Sequence, residues 1–195
     1  MAWPPFFTFD LIEHGLLPEG WDVATRALAE APERQPIDMG EVPWSFCVVE
    51  GDVVQDRLPW LWRLYHGALR DVAARAVGFP LFPANRLRAG ITLNILSGIG
   101  AWSDWHRDMN QVTGLLFATA GDPDGAGDLL FRDGAGREAR LVPRPGLFVC
   151  FEGAVEHRVA AISSAGPRLS LPLLYYRSAT EQPHASGMDV YTLDP

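Results

Sequence analysis

The sequence predicts a mainly β protein: a double-stranded β-helix (a jelly roll, or cupin-like barrel) with N-terminal helices that buttress one of its sheets. From about residue 88 onward, short apolar segments alternate with turn clusters rich in Gly and Asp. Short strands at such regular spacing are typical of all-β barrels and sandwiches. The predicted strands are Ile91–Leu96, Trp105–Asp108, Val112–Thr119, Asp128–Arg132, Ala139–Val142, Leu147–Phe151, His157–Ile162 and Leu169–Tyr176.

The N-terminal part of the chain mixes helices with turns. Trp21–Ala31 is predicted as a short helix, which Pro32 helps to end. A strand-like apolar run occupies Phe46–Val49. Leu58–Val77 carries apolar residues at helical spacing, so we predict one amphipathic helix that packs on a sheet. The chain is therefore predicted to be a single domain, with supporting elements in 1–88, a jelly-roll core in 89–177 and a tail in 178–195.

The composition is that of an acidic globular protein. The 195 residues are 48% hydrophobic, enough for a sizeable core, and the formal net charge of −8 repels the phosphate backbone of nucleic acids. Cys47 and Cys150 are too few for a disulfide framework. The N-terminus lacks the pattern of a signal peptide, and every apolar run is shorter than a membrane span. We expect a cytoplasmic protein that binds neither nucleic acid nor membrane, and the sequence leaves the oligomeric state open.

The most informative motif is His106-x-Asp108, which is followed at a distance by His157. Residues two apart in a strand project to the same side, so a strand through Trp105–Asp108 would direct both side chains inward. Two histidines and one carboxylate form the facial triad that holds iron(II) and leaves coordination positions open. The motif therefore predicts a metal centre at His106, Asp108 and His157.

A second motif, Arg168-x-Ser170, opens the apolar run that ends at Tyr176. A charged residue at the start of a buried strand is costly unless it is paired. The planar guanidinium matches a carboxylate with two parallel hydrogen bonds, and Ser170 shares its face of the strand. The pair therefore predicts an anion site that suits one end of a dicarboxylate.

These motifs occur in an order that resembles a known family. From about Ile91 to Tyr176, the chain is similar to the iron(II)- and 2-oxoglutarate-dependent oxygenases, and it is most similar in pattern to their prolyl-hydroxylase-like branch. The further segments that carry the resemblance are the strand Val112–Thr119 after His-x-Asp, the segment Gly127–Arg132 after a Gly-rich turn, the Pro143–Gly146 turn before an apolar strand, and His-x-Val at His157 with an arginine eleven residues later.

The resemblance implies a role for each site residue. His106, Asp108 and His157 would bind iron(II). Arg168 would bind the distal carboxylate of the cosubstrate 2-oxoglutarate, with Ser170 beside it. In halogenating members the Asp108 position is Gly or Ala, so the carboxylate here implies hydroxylation, or a variant such as desaturation or ring closure, with O2 as the oxidant.

The chain also departs from the family pattern. Leu96 and Phe117 stand where members of the branch often carry tyrosines that hydrogen-bond to 2-oxoglutarate. Asn94, on the face of Leu96, is a candidate to supply one of the missing hydrogen bonds. Leu174 stands where nucleic-acid-demethylating members carry a second arginine, so demethylation of nucleic acid is not supported.

The expected activity is hydroxylation of an unactivated carbon in a small molecule, such as an amino acid or a natural-product intermediate. A peptide or protein side chain is the alternative substrate. A zinc-dependent, cupin-type hydrolase or isomerase would use the same three metal ligands but would leave Arg168 and Ser170 unexplained. A metal-free binding module is a third, non-enzymatic alternative.

The residues that contact the substrate are less well defined by the sequence. Trp102 and Trp105 flank the first predicted ligand and are candidate walls of the substrate pocket, although packing accounts for at least one of them. Arg107, Arg144 and Arg158 are candidates to bind a substrate carboxylate. Nothing in the sequence selects one of the three.

Overall fold

The computed structural model describes residues 3–122 and 124–182. Its helices are α1 (Trp21–Ala29), α2 (Gly51–Arg57), α3 (Pro59–His66), α4 (Ala68–Val77) and α5 (Leu87–Gly90). Its strands are β1 (Phe6–Asp10), β2 (Gln35–Ile37), β3 (Ser45–Val49), β4 (Phe82–Pro83), β5 (Leu93–Ser97), β6 (Val112–Phe117), β7 (Leu129–Arg132), β8 (Glu138–Leu141), β9 (Leu147–Glu152), β10 (Glu156–Val159) and β11 (Arg168–Tyr176). Of the predicted tail, residues 183–195 lie outside the described part of the chain.

The strands form two antiparallel sheets. The large sheet has the order β1-β9-β6-β11-β5-β3-β2, with β4 paired to part of β11. The small sheet has the order β10-β7-β8. The non-sequential neighbours in the large sheet are those of a jelly roll, and the predicted mainly β fold class is confirmed.

Alternation along the central strands gives the large sheet two different faces. In β9, Phe148 and Cys150 pack toward the helices, whereas Leu147, Val149 and Phe151 pack toward the small sheet. Successive side chains of a strand point to opposite faces, so one apolar strand serves two cores. The same alternation puts the apolar residues Leu169, Leu171, Leu173 and Tyr175 of β11 in the core beneath the helices.

The helices cover one face of the large sheet, as predicted. Buried residues of α3 and α4, among them Leu61 and Leu69, belong to the same apolar core as β11. The prediction of one helix over Leu58–Val77 is wrong, because the chain breaks at Gly67 into α3 and α4. Gly67 has φ −121° and ψ −108°, a conformation that is incompatible with a continuous helix.

Strands in the N-terminal part were not predicted except for β3. The β1 strand pairs with β9, with Phe6 opposite Phe151 and Asp10 opposite Leu147. Three of its five residues are phenylalanines, but the strand is short, its side chains are exposed or half-buried, and its partner lies far along the chain. Within the described residues, no helix is long and apolar enough to cross a membrane.

One buried hydroxyl ties the helical layer to the large sheet. Tyr65 of α3 is fully buried, and its hydroxyl donates to the carbonyl of Leu174 and accepts from the amide of Ala84, both at 2.7 Å. Burial raises the pKa of this hydroxyl far above its usual range, so the group stays protonated and can donate. A buried polar group of this kind is costly to leave without partners.

We expect Tyr65→Phe to lower the free energy of unfolding by about 0.5–1.5 kcal/mol, because the Ala84 amide and the Leu174 carbonyl keep only their 3.2 Å hydrogen bond to each other. Urea unfolding measures the change. The matched control is Tyr176→Phe, a tyrosine of β11 whose side chain lines the cavity on the other face of the large sheet. Equal stability of the two variants would contradict the role given to Tyr65.

Candidate metal centre and its cavity

A cavity of about 290 Å³ opens between the two sheets, on the face of the large sheet that is turned away from the helices. Successive side chains of a strand point to opposite faces of the sheet, so every second residue reaches the cavity. The β11 residues that alternate with the helix-side core line the cavity, and so do Asn94 and Leu96 of β5 and Thr92 just before it. All six residues predicted for the site line this one cavity: Asn94, His106, Asp108, His157, Arg168 and Ser170.

The first two residues of the His-Asp-His motif lie in a loop, so the predicted strand Trp105–Asp108 is wrong. Only an isolated bridge forms, in which the amides of His106 and His157 donate to each other's carbonyls at 3.0 and 2.9 Å. The amide of Asp108 then donates to the carbonyl of Gly153 at 2.8 Å. This pairing holds the loop against the turn between β9 and β10, and both side chains still reach the cavity.

The three side chains form a compact cluster of metal-ligand type. Nε2 of His106 lies 3.8 Å from Oδ1 of Asp108, and Nε2 of His157 lies 3.6 Å from Oδ2. One ligand atom from each residue lies within 4.8 Å of the other two. Such spacing allows a single cation to contact all three atoms.

Hydrogen bonds orient both imidazoles for this purpose. Nδ1 of His106 lies 2.7 Å from the carbonyl of Asp104, and Nδ1 of His157 lies 3.0 Å from the carbonyl of Val155. A carbonyl can only accept, so each Nδ1 carries the proton, and Nε2 is the ring nitrogen that can offer a lone pair to a metal. Burial lowers the pKa of His157, opposed by the nearby Asp108 carboxylate, and this favours the neutral ring.

The Asp108 carboxylate has a supporting chain of side chains that the sequence analysis missed. The Thr113 hydroxyl donates to Oδ2 of Asp108, and the amide of Asn110 donates to the Thr113 hydroxyl at 2.9 Å. Both supporting residues are buried. The available signal was a threonine in an otherwise apolar strand, β6, five residues after the carboxylate.

Arg168 is a buried cation in the same cavity. Its Nε donates to the Gly127 carbonyl at 2.9 Å, and Nη1 donates to the Ser170 hydroxyl at 3.3 Å. Its Nη2 is buried and has no hydrogen-bond partner among the described residues. Burial lowers the pKa of the guanidinium to about 10, opposed by the charge of Asp128, which is itself paired with Arg140.

Leu96 and Phe117, which stand where the resemblance predicts tyrosines, lie at different positions beside Arg168. Leu96 is opposite Arg168 in the pairing of β5 with β11 and lines the cavity. The ring of Phe117 lies 5.3 Å from the Arg168 guanidinium, close enough for a cation–π contact. Asn94 is directly opposite Ser170, and its Oδ1 accepts a hydrogen bond from the Thr92 hydroxyl at 3.1 Å.

A glycine permits the close approach of the Asp108 loop. A Cβ built on Gly153 would lie 2.0 Å from the Asn110 carbonyl oxygen, a contact with backbone that no side-chain motion can relieve.

We expect Gly153→Ala to lower the free energy of unfolding by about 1–3 kcal/mol and to speed hydrogen exchange of the Asp108 amide. Gly166→Ala is the control, because its Cβ meets open space at an ordinary φ. Slow exchange at Asp108 in both variants would contradict this account.

Comparison with known proteins gives a structural likeness without a sequence match. No protein-family model and no curated protein matches the chain. The epimerase SnoN, in complex with Fe3+, alpha-ketoglutarate and nogalamycin RO, superposes with a TM-score of 0.67 at 16% identity, over 88% of this chain and 78% of SnoN.

Two further solved structures have the same architecture. An oxidoreductase of the 2OG-Fe(II) oxygenase family from Burkholderia pseudomallei gives a TM-score of 0.69 at 13% identity, over 90% of this chain and 87% of the other. A Pseudomonas putida prolyl-4-hydroxylase gives 0.59 at 20% identity, over 90% and 94%. The fold of this chain is therefore that of the iron(II)- and 2-oxoglutarate-dependent oxygenases.

Proposed function

We propose that this protein is a non-haem dioxygenase that uses iron(II), 2-oxoglutarate and O2 to hydroxylate an unactivated carbon of a small molecule. One observation carries the proposal: a cluster of metal-ligand type and a buried arginine with an unpartnered Nη2 line the same cavity. A zinc hydrolase or isomerase would use the cluster alone and would leave the arginine without a function.

We assign iron(II) to His106, Asp108 and His157. Two imidazole nitrogens and one carboxylate oxygen are the donors of the facial triad, which leaves positions free for a chelating cosubstrate and O2. When bound, iron(II) supplies the oxidising chemistry, and the protein supplies position and a cavity that limits water. The carbonyls bound to both Nδ1 atoms and the Thr113 hydroxyl on Asp108 hold the three donors in place.

We assign 2-oxoglutarate to Arg168, Ser170 and Asn94. The unpartnered Nη2 of Arg168 can donate to the distal carboxylate of the cosubstrate. Ser170 accepts from Nη1 of the same arginine, so its own hydroxyl proton is available to that carboxylate. The Oδ1 of Asn94 is occupied by Thr92, and this leaves the NH2 group of the amide to donate into the cavity.

The structural neighbours support a small-molecule substrate more than a peptide. SnoN binds a metal, alpha-ketoglutarate and nogalamycin RO in one complex. Prolyl hydroxylases among the neighbours, one of them in complex with a peptide fragment, keep a peptide or protein side chain as the alternative. A cavity of about 290 Å³ is at the lower end of the range for small-molecule sites.

The cytoplasmic location stays a prediction.

Anaerobic titration tests the metal and the cosubstrate together. We expect a weak visible charge-transfer band only when both iron(II) and 2-oxoglutarate are added to metal-free protein. His157→Ala should abolish the band and turnover, because one of three ligands is lost, while the fold is retained. His14→Ala is the control, since His14 does not line the cavity. Full activity of the His157 variant would exclude this metal assignment.

The anion site has its own test. We expect Arg168→Ala to weaken 2-oxoglutarate binding by about 10- to 100-fold, because charge-assisted hydrogen bonds are lost. Arg168→Lys should recover only part of the affinity, since the two-pronged geometry is absent. Arg158→Ala, outside the cavity, is the control. An unchanged dissociation constant for Arg168→Ala, measured calorimetrically with metal present, would move the anchor elsewhere, with Asn94 the next candidate.

A further inference from the structure

The charged side chains that line the cavity are all used by the proposed metal and cosubstrate. Among the lining residues that the structure describes, the charged or titratable ones are the His-Asp-His cluster, Arg168 and Tyr176. The other lining residues are apolar or carry neutral polar groups. A charged substrate would therefore find no free side chain of opposite charge in the wall.

The charges of the loaded site also balance. The two positive charges of the metal and the one of Arg168 equal the carboxylate of Asp108 and the two carboxylates of 2-oxoglutarate. A further anion or cation in the cavity would be desolvated without a counter-charge, which is costly. Burial raises the pKa of Tyr176, opposed by the nearby charge of Arg86, and Arg86 does not line the cavity.

The three arginines that the sequence offers as ligands for a substrate carboxylate lie outside the cavity. The Arg158 guanidinium stacks over the ring of Trp105, 4.9 Å from its centroid. Arg144 is 3.7 Å from a carboxylate oxygen of Asp10. Arg107 lines a separate surface pocket. None of the three lines the cavity, and neither does Trp105.

The opening of the cavity is apolar. Three residues both line the cavity and are exposed despite large apolar side chains: Met39 at 37%, Trp102 at 40% and Met109 at 45%. Phe46 and Leu174 lie on the same lining. Methionine and tryptophan offer polarisable, adaptable surface that suits flat ring systems. A ligand seated here would remove this apolar surface from water.

We infer that the substrate is an uncharged molecule with an apolar ring body, held at the opening by Met39, Trp102 and Met109. Neutral polar groups such as the Tyr176 hydroxyl fix its hydroxyl or carbonyl groups. The inference rests on the proposed function and narrows its substrate class. It excludes a free amino acid, which carries an ammonium and a carboxylate at neutral pH.

Three probes with the same ring system, similar size and different charge test this class. Calorimetric titrations of the anaerobic protein, loaded with iron(II) and 2-oxoglutarate at pH 7.5, use 2-naphthylmethanol, 2-naphthoate and 2-naphthylmethylammonium. We expect the neutral alcohol to bind at least about tenfold tighter than either charged probe, because the charged forms lose hydration without a partner. A charged probe that binds as tightly as the alcohol, or no binding of any probe, would overturn the inference.

A pair of variants locates the binding. We expect Trp102→Ala to weaken binding of 2-naphthylmethanol by about tenfold, because the indole surface is lost. Ile99→Ala is the matched control: Ile99 is 66% exposed on the same loop and does not line the cavity. Equal affinities for the Trp102 and Ile99 variants would overturn the placement at the opening.

Binding of 2-oxoglutarate is measured first in the same samples. This measurement distinguishes failure of the proposed function from failure of the inferred substrate class. Failure of 2-oxoglutarate to bind the metal-loaded protein would overturn the proposed function. Normal 2-oxoglutarate binding together with a preference for naphthoate or the ammonium probe would overturn only the substrate class.

Discussion

The structure depends on the two-sided burial of β11, the central strand of the large sheet. Its apolar side chains beneath the helices supply much of the core, and the side chains that alternate with them line the cavity. Strand geometry couples the two sets, because a slip of one residue would exchange the faces. Pairing with β5 on one side and β6 on the other fixes that register. The position of Arg168 is thus determined by the packing of Leu169 and Leu171.

The metal cluster is built in a different way. His157 comes from a strand of the small sheet, whereas His106 and Asp108 come from a loop that is held by backbone hydrogen bonds to His157 in β10 and to Gly153 before it. The cluster therefore joins the two sheets at one edge of the cavity, while Arg168 reaches the cavity from the large sheet. A ligand that spans the metal and the arginine would hold both sheets at once.

The sequence could predict what depends on local pattern. Short apolar segments between turn residues identified most strands from residue 91 onward, and the motifs, together with Asn94 on the face of Leu96, predicted six residues that all line one cavity. It could not predict β1, because its apolar run Phe6–Phe9 is short and the strand is defined by pairing with the distant β9. The break at Gly67 was hidden by apolar spacing that continues through it. The contact of Thr113 with Asp108 was missed because a threonine in an apolar strand has many possible partners.

The strand order also has a consequence for biosynthesis. β5 and β6 are hydrogen-bonded to β11, yet β11 is the last described strand in chain order. During synthesis both strands emerge with one edge unpaired, and unpaired edges invite association with other chains. The central gap closes only when Arg168–Tyr176 has left the ribosome. The nascent chain must therefore pass through a stage in which most of the jelly roll has been made but its middle is open, and this is the stage at which it would most need a chaperone.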